Sequence, residues 1–319
     1  MRVVNSAGII TTIVGTGSSS VSGSSGPALS TSLDVAWYLA GDTGSNLYIA
    51  GYYFTWQYSS STLQVMRYIG SSVTFGFGGD GGLATSASTY EVLGLAVSTS
   101  GTLYAADYGN CIIRAVDTAT NIITTFVGTP SKCGFGGDGG VATSANLSHP
   151  YGIWLSSNND LYIADAVNYR VRRVTNNIIT TFAGTGSNSL GGDGVAATNS
   201  ALYFPVGVAG DLLGNVYIAE RRGCRVRVVT AGIITTVVGT GTCGNAGTAY
   251  QVANSASISS IWQVWVNTVG TLYVAEDGNC IVRYVTLNLP TISPTPIPSN
   301  APTVAPSRLP TCAPTTSPT

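Results

Sequence analysis

The sequence predicts an all-β protein, a β-propeller built from four-stranded antiparallel blades. The first observation is a phrase of the type Leu-Tyr-Ile-Ala that begins at five positions: Leu47, Leu103, Leu161, Val216 and Leu272. The second is an Ile-Thr-Thr run ending in Gly-Thr, which recurs at 123–129, 179–185 and 234–240. A period of about 56 residues with several short strands in each unit is typical of radial β repetition.

Each unit divides into four β segments separated by turn residues. In the third unit these segments are 151–157, 160–166, 169–175 and 177–184. Their Val, Ile, Thr and Tyr content suits a pleated surface that is buried between neighbouring blades. The strand after the Leu-Tyr-Ile-Ala phrase carries an arginine in every unit, at Arg67, Arg114, Arg172, Arg227 and Arg283. We count five blades over residues 1–288.

The units are offset by one strand. The fifth unit has no Ile-Thr-Thr strand, because proline-rich sequence begins at Pro290, whereas an extra Ile-Thr-Thr strand lies at 9–15. We expect this N-terminal strand to complete the fifth blade within the molecule, or to complete a neighbouring molecule in an open head-to-tail chain. Residues 2–16 closely match 227–241, so the chain opens inside a repeat. We therefore expect a piece of a longer precursor.

Composition excludes several classes of partner. Only 8% of the residues are charged and the net charge is −1, which argues against nucleic acid, since binding it requires clustered cations. No apolar run approaches the roughly 18 residues of a membrane-spanning helix. We expect no nucleic-acid partner and no membrane span.

The six cysteines indicate an oxidising compartment. Cys111, Cys224 and Cys280 each open the third strand of a unit, whereas Cys133 and Cys243 each follow a fourth strand. Because these strands are antiparallel neighbours, we predict disulfides between Cys111 and Cys133 and between Cys224 and Cys243. We expect Cys280 to pair with Cys312 in the tail. The alternatives are free buried thiols and metal binding, and no CxxC pair supports the latter.

One segment resembles a known family. Residues 134–174 contain Gly-Asp-Gly-Gly, Ala-Thr-x-Ala, Pro-x-Gly and Leu-Tyr-Ile-Ala-Asp-x-x-Asn, followed by a strand that carries arginine. This order of motifs resembles an NHL repeat, and the resemblance extends over roughly 1–288. Gly51 replaces the aspartate in the first unit, and the fifth unit lacks Gly-Asp-Gly-Gly. NHL propellers usually have six blades, so five or six remain open.

The C-terminal segment 289–319 differs sharply from the repeats. It contains nine of the 13 prolines, together with threonine and serine, and we expect extended polyproline II structure. It resembles the O-glycosylated stalks of wall glycoproteins, with Thr295, Thr303 and Thr315 as candidate sites; a linker to further domains is the alternative. Asn146 begins a glycosylation sequon in a loop between blades.

No catalytic motif emerges from the sequence. The aspartates of the Gly-Asp-Gly loops, Asp80, Asp138 and Asp193, are better explained by turn geometry than by calcium binding. Asp107, Asp165, Glu220 and Glu276 are expected to pair with the repeated arginines or to brace the hairpins. His149 is the only histidine, so a multi-histidine zinc site is excluded. We expect no cofactor and no bound metal.

Two departures from the repeat are candidate interaction sites. The first is the connection at 52–58, which carries Tyr52, Tyr53, Phe54, Trp56 and Tyr58. It is interpreted either as an exposed aromatic platform or as a loop folded over its own blade. The second is a set of arginines on the third and fourth units, which would form an anionic-ligand site or a solvated edge. Its candidate residues are Arg170, Arg172, Arg221, Arg222 and Arg225.

These features predict a non-enzymatic extracellular or cell-surface glycoprotein with a structural or adhesive role in a filament, wall or matrix. Its expected partners are further copies of the chain or other matrix proteins, reached through the N-terminal strand and the tail, and also glycans. The alternatives are a recognition propeller for carbohydrate or protein and, third, a calcium-dependent lactonase or hydrolase.

Overall fold

The computed structural model describes residues 1–5, 7–18, 21, 23–245 and 252–287 of the 319 residues. Antiparallel β-sheets dominate this part of the chain, joined by short 3-10 turns. None of its helices is long and apolar enough to cross a membrane. The tail and its residues Thr295, Thr303, Cys312 and Thr315 lie outside the described residues.

Five sheets form the blades of a propeller, which confirms the predicted fold. The strands of blades 1 and 2 are β3 (Ser25–Pro27), β4 (Ala36–Gly41), β5 (Asn46–Gly51), β6 (Thr55–Ser59), β7 (Gln64–Ile69), β8 (Val92–Val97), β9 (Thr102–Asp107), β10 (Ile112–Asp117) and β11 (Ile122–Val127). Those of blade 3 are β12 (Pro150–Leu155), β13 (Leu161–Asp165), β14 (Arg170–Thr175) and β15 (Ile178–Ala183).

Blades 4 and 5 follow the same order. Their strands are β16 (Val195–Ala196), β17 (Pro205–Gly210), β18 (Val216–Glu220), β19 (Arg225–Thr230), β20 (Ile233–Val238), β21 (Ile261–Val266), β22 (Thr271–Glu276) and β23 (Ile281–Thr286). The 3-10 turns are Ala84–Ser86, Ala142–Ser144, Ala166–Asn168, Ala197–Asn199 and Ala253–Ser255. The first strand of each blade lies against the first strand of the next, from β4 through β8, β12 and β17 to β21.

The hydrophobic core lies between the blades rather than within any one of them. Ile113 and Val127 of blade 2, for example, share a buried cluster with Ile153, Ile163 and Val174 of blade 3. Each sheet is therefore apolar on both faces, and its outer strand is the most exposed. This explains why the strands are rich in Val and Ile without strict alternation of polar residues.

The N-terminal strand does not complete blade 5, so the intramolecular closure expected from the sequence is corrected. Strands β1 (Arg2–Val4) and β2 (Ile10–Thr12) pair with each other, and the sheet of blade 5 contains only three described strands. The pairs Arg2↔Thr12 and Val4↔Ile10 repeat the register of Arg227↔Thr236 and Val229↔Ile234 in blade 4. The hairpin thus has the geometry of the third and fourth strands of a blade.

A repeated hydrogen bond places this hairpin beside blade 1. The Gly15 amide donates to the Ala28 carbonyl at 2.9 Å, as Gly239 donates to Ala253 at 2.9 Å where blade 4 meets blade 5. The hairpin therefore stands as the outer half of a sixth blade. A cleft of ≈ 480 Å³, lined in part by Arg2, Leu39 and Trp265, lies where the inner half of that blade would be.

Blades 2, 3 and 4 each contain a buried arginine that links parts of the same blade. In blade 3 the Arg172 guanidinium lies 2.5 Å from Asp138 of the Gly-Asp-Gly loop and 3.3 Å from Asp165 at the end of β13. The Asp138 carboxylate also accepts a hydrogen bond from the Thr181 hydroxyl on the fourth strand. The loop aspartate thus joins the arginine to the edge of its own blade, so its role extends beyond turn geometry.

The other blades repeat this link. Arg114 lies 2.6 Å from Asp80 and 3.7 Å from Asp107, and Arg227 lies 2.7 Å from Asp193 and 3.4 Å from Glu220. In blade 5, Arg283 lies 2.5 Å from Glu276. The expected pairing of the second-strand carboxylates with the repeated arginines is therefore present.

Burial disfavours the charged form of the carboxylates that take part in these links. Desolvation raises the pKa of Asp107 and of Asp165 to about 6, although hydrogen bonds from Asn110 and Asn168 and the nearby arginines pull it down. A buried ion pair is a weak source of net stability, but removing one partner leaves a buried charge uncompensated. The link therefore specifies the position of the loop more than it strengthens the blade.

Blade 1 replaces the arginine link with a different one. Ile49 pairs with Trp56 where Ile163 pairs with Arg172 in blade 3, so Trp56 occupies the arginine position. The Trp56 indole donates to the Asp34 carboxylate at 2.7 Å. Arg67, expected on the third strand, instead lies on the fourth strand β7 and stacks over Phe54 at 3.7 Å.

Gly51 and Asp34 form a compensating pair. A Cβ atom at Gly51 would stand 2.2 Å from Oδ1 of Asp34, so this carboxylate enters the space of the side chain that follows the second strand in other blades. Asp34 also accepts hydrogen bonds from the amides of Tyr53 at 2.5 Å and Phe54 at 3.2 Å. The carboxylate missing at Gly51 is thus supplied from the loop before β4.

We predict that Gly51→Ala lowers the free energy of unfolding by about 1–3 kcal/mol, because the added methyl group must displace a buried, hydrogen-bonded carboxylate. Gly78→Ala is the matched control, since no atom lies within 4 Å of the Cβ position there. Urea unfolding followed by tryptophan fluorescence measures both variants. Equal unfolding midpoints for the two variants would contradict the compensation.

Candidate functional site

The aromatic segment 52–58 is not an exposed platform. Strand β6 begins at Thr55, so the connection is only 52–54, and Phe54, Trp56 and Tyr58 are buried in the core of blade 1. Tyr52 and Tyr53 are half-buried at the surface, where both contact the ring of Phe75. The interpretation of a loop folded over its own blade is therefore the correct one for Phe54, Trp56 and Tyr58.

The arginines of blades 3 and 4 do not form one surface cluster. Arg172 and Arg225 are buried, and Arg225 lies 2.6 Å from the carboxylate of Glu220. Arg170 stacks over Phe135 at 3.9 Å and donates to the carbonyl of Thr185. These three side chains contact other groups of the protein and do not face a shared surface. Only Arg221 and Arg222, on the loop between β18 and β19, face a concave surface together.

That concave surface is built on strained backbone. The residue before the first strand has a left-handed conformation in blades 2 to 5, at Glu91, His149, Phe204 and Ser260, with φ between 46° and 58°. Three of their carbonyls are held by the facing loop: the amides of Tyr108, Arg221 and Asp277 donate to Glu91, Phe204 and Ser260. Such backbone in non-glycine residues is uncommon and is often found at functional sites.

A line of aromatic rings crosses this end of the propeller. Tyr151 contacts Tyr108, Phe204 and Trp262 with ring centroids 5.1, 5.8 and 5.8 Å apart, and Trp262 stacks on Trp37 at 5.4 Å. Burial raises the pKa of Tyr151 to about 12, so its phenol stays neutral. The rings come from blades 1 to 5 and form a fixed apolar floor.

A pocket of ≈ 530 Å³ opens between blades 3, 4 and 5 at this end, and we call it the mouth pocket. Its walls combine aromatic rings, hydroxyl groups and two guanidinium groups, contributed by Tyr151, Tyr203, Phe204, Arg221, Arg222, Ser259 and Ser260. An apolar body with a few polar groups is the usual make-up of a ligand site.

The two arginines of the mouth pocket have different environments. Arg221 lies 2.8 Å from the Asp277 carboxylate, donates to the Ser260 hydroxyl at 3.1 Å and stands 4.5 Å over the ring of Trp262. Arg222 is exposed and stands 4.8 Å over the ring of Phe204. One guanidinium is thus committed to protein groups, whereas the other faces solvent.

The two predicted disulfides are present. Cys111 is bonded to Cys133 and Cys224 to Cys243, with Cα–Cα distances of 5.3 and 5.1 Å. Cys243 lines the mouth pocket, so its bridge fixes the pocket wall to the loop that carries Arg222. Cys280 is exposed and makes no disulfide within the described residues; its predicted partner Cys312 lies outside them.

The disulfides also bear on metal binding. Among the described residues, Cys111, Cys133 and His149 bring possible ligand atoms within 4.8 Å of one another. Their two sulfur atoms are bonded to each other, so they are not thiolates, the form that binds zinc. The His149 imidazole contacts the ring of Tyr108, and burial lowers its pKa, which favours the neutral form.

The glycosylation sequon lies in a tighter place than the sequence suggested. Asn146 is half-buried with its amide nitrogen packed over Gly136, and Ser148 is buried with its backbone amide donating to Asp165 at 2.6 Å. Glycosylation at Asn146 stays a prediction, as it does for the threonines of the tail.

Sequence reasoning missed Tyr151, Phe204 and Trp262. A signal for two of them exists, because Trp37, Tyr151 and Trp262 occupy the same repeat position, the second residue of the first strand. Alignment of the units by column would have shown aromatic residues there in three of five blades. That these rings meet across the axis depends on the arrangement of all five blades and cannot be found in any one unit.

Removal of the disulfide beside the mouth pocket should weaken the fold. We predict that the double variant Cys224→Ser/Cys243→Ser loses about 2–4 kcal/mol of unfolding free energy, because the bridge restricts the unfolded chain. Denaturant unfolding without reductant measures the loss. Cys280→Ser serves as the control for cysteine removal outside these bridges. A double variant as stable as the parent protein would show that the bridge is not formed.

Comparison with curated proteins supports the repeat type. No protein-family model matches the chain. NHL repeat-containing protein 2 of Bos taurus is 31% identical over 150 residues, which cover 43% of this chain and 20% of that protein. Protein SUPPRESSOR OF QUENCHING 1, chloroplastic, of Arabidopsis thaliana is 31% identical over 100 residues, or 31% of this chain and 9% of that protein. The chain thus spans a fifth or less of these relatives.

Solved structures support the fold. An auxiliary nutrient binding protein from Bacteroides thetaiotaomicron matches with a TM-score of 0.52 at 14% identity, over 86% of this chain and 75% of that one. A chain of a nidogen/laminin complex matches with a TM-score of 0.53 at 12% identity, over 79% and 76%. At these identities the likeness concerns the fold alone. Together with the curated relatives, it supports the NHL-repeat β-propeller that the sequence resembles.

Proposed function

We propose that this NHL-repeat β-propeller is a non-enzymatic recognition module that binds a carbohydrate in the mouth pocket. The observation that carries the proposal is the composition of the pocket: aromatic rings, hydroxyls and guanidinium groups meet on a backbone held in a left-handed conformation. Aromatic rings supply apolar contact at a low cost in conformational entropy, and the polar groups around them fix orientation.

Individual contacts suit a sugar. Tyr203 lines the pocket with a half-buried side chain, and none of the aromatic contacts among the described residues involves its ring. Ser259 and Ser260 add hydroxyl groups to the lining, and that of Ser260 also accepts a hydrogen bond from Arg221. A pyranose ring has apolar C–H faces and a hydroxylated edge, so it can contact a ring and these hydroxyls at once.

The same surface offers little for catalysis, which supports a binding role. The His149 imidazole lies 3.4 Å from the hydroxyl of Ser148, the residue adjacent in sequence, and Ser148 is buried. A nucleophile is expected within about 2.6–3.2 Å of its base and to be accessible to substrate. The absence of an enzymatic activity remains part of the proposal.

One structural neighbour points the same way. That bacterial protein is described as nutrient binding. It shares only the fold with this chain, so it supports the class of function, not the ligand. Two disulfides are compatible with a secreted protein, where glycans are abundant partners.

We predict that Tyr203→Ala weakens binding of the best oligosaccharide from a glycan screen about tenfold, which corresponds to the loss of about 1.4 kcal/mol. Tyr284→Ala is the control, because Tyr284 is exposed on β23 and does not line the pocket. Titration calorimetry measures both. The proposal fails if no oligosaccharide binds the unmodified protein, or if Tyr203→Ala binds as well as the control.

A structural or adhesive role in an extracellular assembly is the second candidate function. It is favoured by the outward face of blade 5, which no described strand covers. Val282 is 67% exposed, whereas Val226, which holds the same register position in blade 4, is fully buried against the next blade. Trp265 is likewise 58% exposed, against 3% for Ala209. A further copy of the chain would cover this surface.

This second candidate predicts self-association that depends on blade 5. Val282→Asp should shift the sedimentation of the concentrated protein from oligomer to monomer, because a charge placed in a buried apolar contact is costly. Leu212→Asp, at an exposed leucine of blade 4, is the matched control. A parent protein that remains monomeric at high concentration would argue against the assembly role.

A further inference from the structure

We infer that the sugar in the mouth pocket is anionic, a uronic acid or a sulfated sugar, and that Arg222 binds its carboxylate or sulfate group. This inference rests on the proposed binding function and adds the chemical class of the ligand. It follows from the charge balance of the pocket, the way in which Arg222 is held, and the departure of blade 4 from the repeat.

The charge balance leaves one cation uncompensated. The charge of Arg221 is opposed by Asp277, at 2.8 Å. Among the described residues, no carboxylate lies within ion-pair distance of Arg222. The mouth pocket therefore presents a net positive charge beside its aromatic wall, in a chain that contains only 13 lysines and arginines.

The arginine is held in a way that leaves its hydrogen-bonding edge available. The Arg222 guanidinium stands 4.8 Å over the ring of Phe204, and among the described residues no protein group accepts a hydrogen bond from its side chain. The N–H bonds of a guanidinium lie in its plane and form paired hydrogen bonds with a planar carboxylate or a sulfate. A ligand that reaches the pocket floor would meet that edge.

The main chain at Arg222 is fixed from both sides. Its carbonyl lies 3.9 Å from the sulfur of Cys243, next to the Cys224–Cys243 bridge. On the other side, a Cβ atom at Gly223 would stand 2.4 Å from the Glu220 carboxylate, so only glycine fits there without displacement. A main chain packed in this way loses little freedom when the side chain that it carries binds an anion.

Blade 4 departs from the other blades at this loop. Blades 2, 3 and 5 place an asparagine where blade 4 has Gly223, and these asparagines bind the second-strand carboxylate, as Asn168 binds Asp165 at 2.8 Å. In blade 4, Arg225 takes over this contact with Glu220 at 2.6 Å. The residue that precedes this asparagine is small or apolar in the other blades, namely Gly109, Val167 and Gly278. In blade 4 the residue that precedes Gly223 is Arg222.

This departure is informative because the fold does not require it. Three other blades form the same turn without a cation, and none of the described protein groups pairs its charge with Arg222. Coordinated changes at Arg222, Gly223 and Arg225 keep the turn intact while placing a guanidinium at the mouth pocket. A ligand with a negative charge gives that guanidinium its partner.

The test compares three length-matched oligosaccharides: an oligogalacturonate, a sulfated galactan fragment and a neutral cello-oligosaccharide. Titration calorimetry is carried out with the intact protein and with Arg222→Gln, Arg222→Lys and Lys132→Gln. Lys132 is an exposed cation beside the other bridge, so its variant controls for a general loss of positive charge. Repetition at higher salt checks that the preference is electrostatic.

We expect the intact protein to bind at least one acidic oligosaccharide about tenfold or more tightly than the neutral one. Arg222→Gln should abolish this preference, because the variant has no positive charge at this position. Arg222→Lys should restore part of it, since an ammonium group keeps the charge but not the paired hydrogen bonds. Lys132→Gln should behave as the parent protein. Preference for galacturonate or for sulfate identifies which anion is bound.

Two results would overturn the inference while leaving the proposed function standing: equal affinity for acidic and neutral sugars, or an acidic preference that persists in Arg222→Gln. Different results would contradict the proposed function itself. In that case no oligosaccharide binds, or binding is insensitive to Tyr203→Ala, and the inference falls with it.

Discussion

The buried arginine on the third strand is the interaction on which the blade architecture depends. In blade 3, Arg172 joins the loop aspartate Asp138, the second-strand carboxylate Asp165 and, through Asp138, the fourth strand. Taking these charges out of water is costly, so the link persists only where every partner is in place. It ties the entry loop to the mouth end of blades 2, 3 and 4.

The exceptions to this link show what it supplies. Blade 1 has neither the arginine nor the second-strand aspartate, yet Trp56 and Asp34 rebuild a buried hydrogen-bonded pair in the same space. Blade 4 keeps Arg227 but changes the neighbouring turn, where Arg225 replaces an asparagine contact. The carboxylate at this site is therefore the constant element, and its donors vary. Such freedom lets individual blades change their loops without loss of the fold.

Much of the fold was predictable because the same sequence motifs recur from repeat to repeat, so each unit supports the assignment of the others. The five Leu-Tyr-Ile-Ala phrases indicated five blades, although six remained open, and the cysteine positions at strand ends predicted two disulfides, since antiparallel neighbours bring those ends together. Blade 1 was assigned wrongly because Arg67 matched the motif, although Trp56 holds the register position. The mouth pocket was only half predicted: Arg221 and Arg222 were proposed among arginines that packing buries, such as Arg172.

The sequence by itself determined the repeat, the strand order within a blade and the disulfide framework, because these depend on neighbours within one period. The tertiary structure alone decided which side chains share a surface. Trp37, Tyr151 and Trp262 meet although more than 100 residues separate each from the next. It also decided that the N-terminal hairpin stands as half of a further blade instead of completing blade 5. The arrangement of the blades around the axis sets both outcomes, and no single repeat encodes that arrangement.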